Sequence, residues 1–115
     1  MDPASSEFFQ EGQYNLGMKD GVSAKLTPGG LAVLYRQLCK DYPIVLLEDP
    51  FAEDDFETWS EFMKAGKDLN LPEIVGDDLT VTNVERVKMA RDCNACDGLL
   101  LKINQIGTIT EAIAA

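Results

Sequence analysis

Three short runs along the chain are apolar without interruption: Ile44-Val45-Leu46-Leu47, Glu73-Ile74-Val75-Gly76 after its leading acid, and Gly98-Leu99-Leu100-Leu101. None alternates apolar with polar. Continuous apolar runs of this length predict strands covered on both faces, as in a parallel sheet.

The segments between them repeat apolar residues at helical spacing. Thr27-Pro28 supplies an N-cap followed by proline at the first helical position. Leu31, Leu34, Tyr35 and Leu38 then form one face. A second helix is expected from about Asp54-Asp55, with Phe56, Trp59, Phe62 and Met63 as its stripe. Its acidic first turn suits the helix dipole. A third starts near Asn83, with Val84, Val87 and Ala90 on one side. Thr108-Ile109-Thr110-Glu111 has the capping-box pattern of a fourth. The stretch from Ser5 to Lys25 is less regular. Phe8, Phe9, Tyr14, Leu16 and Met18 are placed to cover apolar surface, and Gly12, Gly17 and Gly21 punctuate it as loops and turns. It reads as an excursion after a strand that ends near Asp2.

The order is thus helix, strand, helix, strand, helix, strand, helix. Strand ends recur about every 25 to 30 residues, the length of one βα repeat. The fold class is α/β with parallel strands, either part of a TIM-like (β/α) barrel or an open doubly wound sheet. No G-x-G-x-x-G or P-loop follows a strand, which removes support for nucleotide binding.

Charge enters where the apolar runs stop. The first run is followed by Glu48-Asp49-Pro50, the second by Asp77-Asp78, and the third by Lys102, Asn104 and Gln105. With Asp2 closing an earlier strand, four parallel strands each deliver a charged group at the same end. Neighbouring strands lie only about 5 Å apart. Carboxylates so close repel by several kcal/mol per pair at an effective dielectric constant of roughly 20. A divalent cation compensates them best, and a hard oxygen donor set points to Mg²⁺. The C-terminal rim of a parallel sheet is where βα proteins build their sites. Each acid taken alone also suits capping of the loop or helix that follows it, Asp49 and Asp78 especially. At Lys102, burial lowers the pKa and neighbouring carboxylates raise it, and the balance decides whether the amine accepts a proton.

Composition narrows the partners. The 115 residues suffice for one small domain, and a net charge of −10 without histidine disfavours nucleic acid and anionic membranes. No apolar run approaches the ~20 residues that span a bilayer, and the N-terminus lacks the features of a secretory signal. Cys39, Cys93 and Cys96 are expected to be reduced structural residues. The lone Cys93-Asn94-Ala95-Cys96 lacks the further ligands of a zinc site. Both ends read as cut ends.

On these residues the chain resembles the enolase family. The matching stretches are Met1-Asp2-Pro3-Ala4-Ser5-Ser6-Glu7-Phe8-Phe9, Leu47-Glu48-Asp49-Pro50-Phe51-Ala52-Glu53-Asp54-Asp55, Gly76-Asp77-Asp78-Leu79-Thr80-Val81-Thr82-Asn83 and Leu99-Leu100-Leu101-Lys102-Ile103-Asn104-Gln105-Ile106-Gly107. The resemblance covers essentially the whole chain. It implies residues 1–115 of a C-terminal catalytic barrel, from the end of its third strand through its sixth strand and into the next helix. It implies a lyase, phosphopyruvate hydratase, which interconverts 2-phosphoglycerate and phosphoenolpyruvate in glycolysis and gluconeogenesis, as a cytoplasmic homodimer. Asp2, Glu48 and Asp77 would hold the Mg²⁺ that binds the substrate carboxylate, and Lys102 would remove the α proton. Glu48, Asp77 and Lys102 are then also substrate-binding residues. The enolase superfamily is a known instance of a Lys or His base working with Mg²⁺. The family's glutamate pair and serine loop lie upstream of Asp2, and its phosphate-holding His, Arg-Ser and second Lys lie beyond Ala115. The link from Lys67 to Pro72 is long and is expected at the end of the barrel away from the chemistry.

Two other readings share these residues: another superfamily enzyme abstracting a proton beside a different carboxylate, and a non-catalytic acidic fragment. Three or four strands cannot close a barrel, so the chain by itself is expected to fold poorly or to aggregate through open strand edges.

Overall fold

The structure is a computed structural model that describes residues 1–17, 21, 24–66 and 71–115. A 3-10 turn over Ser5–Phe8 leads into short strands β1 (Phe9–Gln10), β2 (Gln13–Asn15) and β3 (Lys25–Leu26). Helix α1 (Pro28–Asp41), β4 (Leu46–Glu48), α2 (Phe56–Gly66), β5 (Glu73–Gly76), α3 (Val84–Cys93) and β6 (Gly98–Leu99) alternate after them. The short helices α4 (Ile103–Ile106) and α5 (Ile109–Ala114) follow.

Strands β4, β5 and β6 form one parallel sheet in that order, with Leu47 opposite Ile74 and Gly76 opposite Leu99. Parallel strands joined by helices are the expected α/β repeat of a partial barrel. The expected strand near Asp2 takes the form of hydrogen bonds made by Met1. Its amino group donates to Leu46 O at 2.8 Å, and Glu48 N donates back to Met1 O at 2.9 Å, the alternation of a parallel ladder.

The cap signals hold at their residues. The Thr27 side chain accepts from Gly30 N, with Pro28 opening α1. Asn83 accepts from Glu85 N and Arg86 N at the start of α3, and Thr108 accepts from Glu111 N at α5. Caps are legible because they depend on three or four consecutive residues satisfying one another's backbone donors.

The core lies between α1 to α3 and one face of the parallel sheet. Leu31, Tyr35, Leu47, Trp59, Phe62, Ile74, Leu79 and Ala90 are buried there around Phe51. Phe51 follows β4 in a loop, yet its ring meets those of Tyr14, Tyr35, Trp59 and Phe62 with centroids 5.2 to 6.4 Å apart, all edge to face. Aromatic pairs favour this geometry because ring edges are positive and ring faces negative.

Three expectations are corrected. The apolar runs are not buried along their length: Val45 is 81% exposed and Leu101 50%, and both lie outside the paired strands. The third run pairs as a strand only over Gly98–Leu99, with Leu100 N still donating to Gly76 O. The Ser5 to Lys25 stretch is not purely loops. It holds the antiparallel sheet β1-β2-β3, and its Tyr14 is fully buried with Phe8 and Phe9 packed alongside. Leu16, in contrast, is exposed. The expectations for Met18 and for Lys67 to Asn70 fall outside the described residues. Among the described residues no helix is long and apolar enough to cross a membrane, and all three cysteines are free.

Candidate functional site

The ends of β4, β5 and β6 all deliver their charged residues to one rim, where the next loops begin. Glu48 is the last residue of β4. Asp77 follows β5 directly, and Lys102 follows β6 after Leu100 and Leu101. The hydrogen bonds of Met1 bring Asp2 to the same rim beside Glu48.

Among the described residues, two groups of carboxylates have oxygens all within 4.8 Å of one another: Asp2, Glu48 and Asp49, and Asp49, Asp77 and Asp78. The predicted ligands Asp2, Glu48 and Asp77 are therefore divided between two adjoining groups, with Asp49 common to both. An all-oxygen set of this density suits a hard divalent cation. The Glu48 carboxyl is pushed up, first by partial burial and then by the charges of Asp2 and Asp77. Asp78 is raised for the same reasons, burial first and then Asp77 and Asp2. Both shifts are led by burial, with the neighbouring carboxylates adding in the same direction and Lys102 opposing.

Asp77 and Lys102 form an ion pair between Oδ2 and Nζ. The Asp77 side chain is 11% exposed and that of Lys102 40%. Lys102 is held above the usual lysine value, first by its hydrogen bond to Asp77; desolvation opposes this, and the charges of Asp77, Glu48 and Asp78 add to the rise. Of the two opposing influences expected at this lysine, the carboxylates prevail. In this arrangement it is an ammonium that donates to Asp77.

The other oxygen of Asp77, Oδ1, accepts from Gln105 Nε2 at 2.7 Å. Gln105 Oε1 accepts from the Thr82 hydroxyl at 3.1 Å, and Thr82 Oγ1 accepts from the backbone of Lys102 at 2.8 Å. Thr82 is fully buried. It lies at φ 54 directly after Val81 at φ 41. Positive φ at a β-branched residue costs on the order of 1–3 kcal/mol and persists only where the surroundings over-determine it. Gly76 lets the loop turn this tightly, because a Cβ there would lie 2.9 Å from Leu79 Cβ.

Asp49 is buried, and its carboxylate caps the β5 loop and not, as expected, the loop that follows Asp49 itself. Oδ1 accepts from Asp77 N at 3.1 Å and Oδ2 from Asp78 N at 3.0 Å. Its backbone adds a donation to Val75 O and accepts from Ser5 N. Burial pushes its carboxyl up to about 6 despite those donors. Arg86 fastens the neighbouring loops. It donates to Leu79 O at 2.6 Å, to Asp54 at 2.8 Å and to Glu53 O, and it lies over the Phe56 ring.

All four predicted site residues therefore share one rim. Sequence reasoning gave no role to Gln105, Thr82 or Arg86. Gln105 stands in the stretch after the third run and carried a polar signal. Thr82 and Arg86 carried none, because their partners are 20 or more residues away in sequence or on another loop. The family model described as enolase, C-terminal TIM barrel domain, matches residues 1–115. With parallel strands, alternating helices and an acidic C-terminal rim, this chain belongs to the enolase C-terminal TIM barrel domain family.

Proposed function

We propose that the chain supplies the metal-binding acids and the general base of a phosphopyruvate hydratase, with β4, β5 and β6 as the fourth to sixth strands of its barrel. The observation that carries the reading is the Lys102–Asp77 pair on a rim shared with Glu48 and Asp2. The substrate class is a small phosphorylated 2-hydroxy or enol carboxylate, 2-phosphoglycerate or phosphoenolpyruvate. The corresponding protein is a cytoplasmic homodimer.

Asp2, Glu48 and Asp77 would hold Mg²⁺, for which their carboxylate oxygens suit. When bound, the ion compensates both the carboxylate charge that keeps Lys102 protonated and the charge that grows on the substrate carboxylate. In its free-amine form, Lys102 Nζ takes the proton from the carbon beside that carboxylate. The C–H electron pair moves toward the carboxylate, and hydroxide departs from the next carbon to leave the double bond; the proton that turns it into water would come from the family's glutamate pair, upstream of Asp2. Asp77 then stabilises the lysine ammonium that has formed. Asp49 keeps the backbone of Asp77 and Asp78 in place while charge moves.

The test is Mg²⁺-dependent conversion of 2-phosphoglycerate by the intact protein, read as absorbance of the enol product. Lys102→Ala is expected to lose about 10²–10⁴-fold in kcat, the usual contribution of positioned acid–base catalysis. Near-normal turnover by that variant would end the assignment of the base. A wild type inactive on 2-phosphoglycerate but active on another carboxylate would move the chain to a different reaction of the superfamily.

A further inference from the structure

We infer that Thr82 is a positioning residue for Lys102 and Asp77, acting through a closed ring of hydrogen bonds that returns to Lys102. The inference rests on the proposed roles of those two residues. The ring starts at the Lys102 backbone N–H, which donates to Thr82 Oγ1 at 2.8 Å. The Thr82 hydroxyl donates its single proton to Gln105 Oε1 at 3.1 Å. Gln105 Nε2 donates to Asp77 Oδ1 at 2.7 Å, and Asp77 Oδ2 accepts from the Lys102 ammonium.

Each link has one sense. A carboxylate only accepts, so the amide must turn its nitrogen to Asp77 and its oxygen to Thr82. The hydroxyl has one proton, which goes to that oxygen. Its remaining capacity is as acceptor, and the Lys102 N–H fills it. The ring thus sets three things together: the backbone from which Lys102 projects, the orientation of the Gln105 amide, and the plane of the Asp77 carboxylate. Thr82 joins the β5 loop to the segment after β6 a second time, alongside Asp77, and it does so while fully buried. Its left-handed backbone at φ 54 aims the hydroxyl across that gap.

A purely structural threonine would serve the fold through its shape. Thr82→Val keeps the shape and the β-branching at that φ while removing the hydroxyl, and Thr82→Ser keeps the hydroxyl and removes the methyl. In the intact protein, Thr82→Val is expected to lower kcat about tenfold with KM changed less than about twofold, because the bond acts on the base and not on substrate affinity. Thr82→Ser is expected to stay within about threefold of wild type. Amide hydrogen exchange at Lys102 should speed up about tenfold in Thr82→Val and little in Thr82→Ser. Gln105→Leu added to Thr82→Val should cost little more than the single change, since the members act as a unit. Unchanged Lys102 exchange and unchanged kcat in Thr82→Val would overturn the inference, as would Thr82→Ser as damaged as Thr82→Val. Exchange responding as expected in the Thr82 variants, with a wild type that turns over no carboxylate, would instead overturn the proposed function and leave the ring standing.

Discussion

At the scale of single residues, Phe51 shows how far a side chain can act from where its sequence neighbours point. It belongs to the acidic stretch Glu48 to Asp55, yet it is fully buried and is the aromatic that Tyr14, Tyr35, Trp59 and Phe62 all meet. The loop that carries it is fastened by Tyr14 and Trp59, which bond the Ala52 backbone at 2.8 and 3.0 Å. Phe51→Ala is therefore expected to destabilise the intact protein by about 3–5 kcal/mol, the usual cost of removing a large aromatic from a packed core. Urea unfolding followed by Trp59 fluorescence measures it, and a loss under about 1 kcal/mol would show that the ring is not central. Charged residues divide differently. Glu48, Asp77 and Lys102 were legible because each closes an apolar run. The bonds of Asp49 to the backbone of Asp77 and Asp78 were not, because acceptor and donors are 28 and 29 residues apart.

At the scale of elements, local chemistry and tertiary packing contribute unequally. Helix α3 is the clearest local case. Asn83 accepts from two backbone donors, Glu85 N at 2.9 Å and Arg86 N at 3.2 Å. Asn94 ends the helix in the left-handed conformation. Asn83→Ala should cost about 1 kcal/mol, and Asn83→Asp or Asn83→Ser should restore most of it. Thermal unfolding of the three variants reads the difference, and an alanine variant as stable as wild type would contradict the cap. The small sheet β1-β2-β3 is the opposite case. Its strands have two or three residues, too few for an alternating pattern to register. Its first turn is Glu11-Gly12, both at positive φ, as a two-residue type I′ hairpin loop requires. Asn-Gly would have announced that turn, whereas a glutamate in the first place hid it. The sheet forms because Tyr14 is drawn into the core.

At the scale of the whole molecule, burial of ionisable groups links stability to alkaline pH. Tyr14 and Tyr35 are buried, and desolvation pushes the Tyr35 phenol up to about 12 and that of Tyr14 further in the same direction. Burial also pushes the Cys96 thiol up from 9.0 to about 11. For all three, the folded state favours the neutral form and the unfolded state ionises first. Their contribution is intact below pH 9 and is lost as pH rises through the window from about 9 to 12. The protein is expected to lose a few kcal/mol across it, since each tenfold change in a group's proton affinity corresponds to about 1.4 kcal/mol. In a Tyr42→Phe variant, which removes the exposed tyrosine, the tyrosinate absorbance of Tyr14 and Tyr35 should rise together with unfolding and not before it. Titration of these phenols near pH 10 with the fold intact would contradict that expectation.

The sequence by itself determined the βα rhythm, the helix caps and the end of each strand where charge accumulates. Those features arise from periodicity and from bonds between residues three or four apart, which lie within a single stretch of chain. Only the tertiary structure decided that Lys102 remains protonated against Asp77, that Asp49 links two acidic groups, and that Thr82 and Gln105 close a ring around the pair. These depend on distances between separate loops. Such distances are set when the helices pack on one face of the sheet, and one-dimensional spacing carries no record of them.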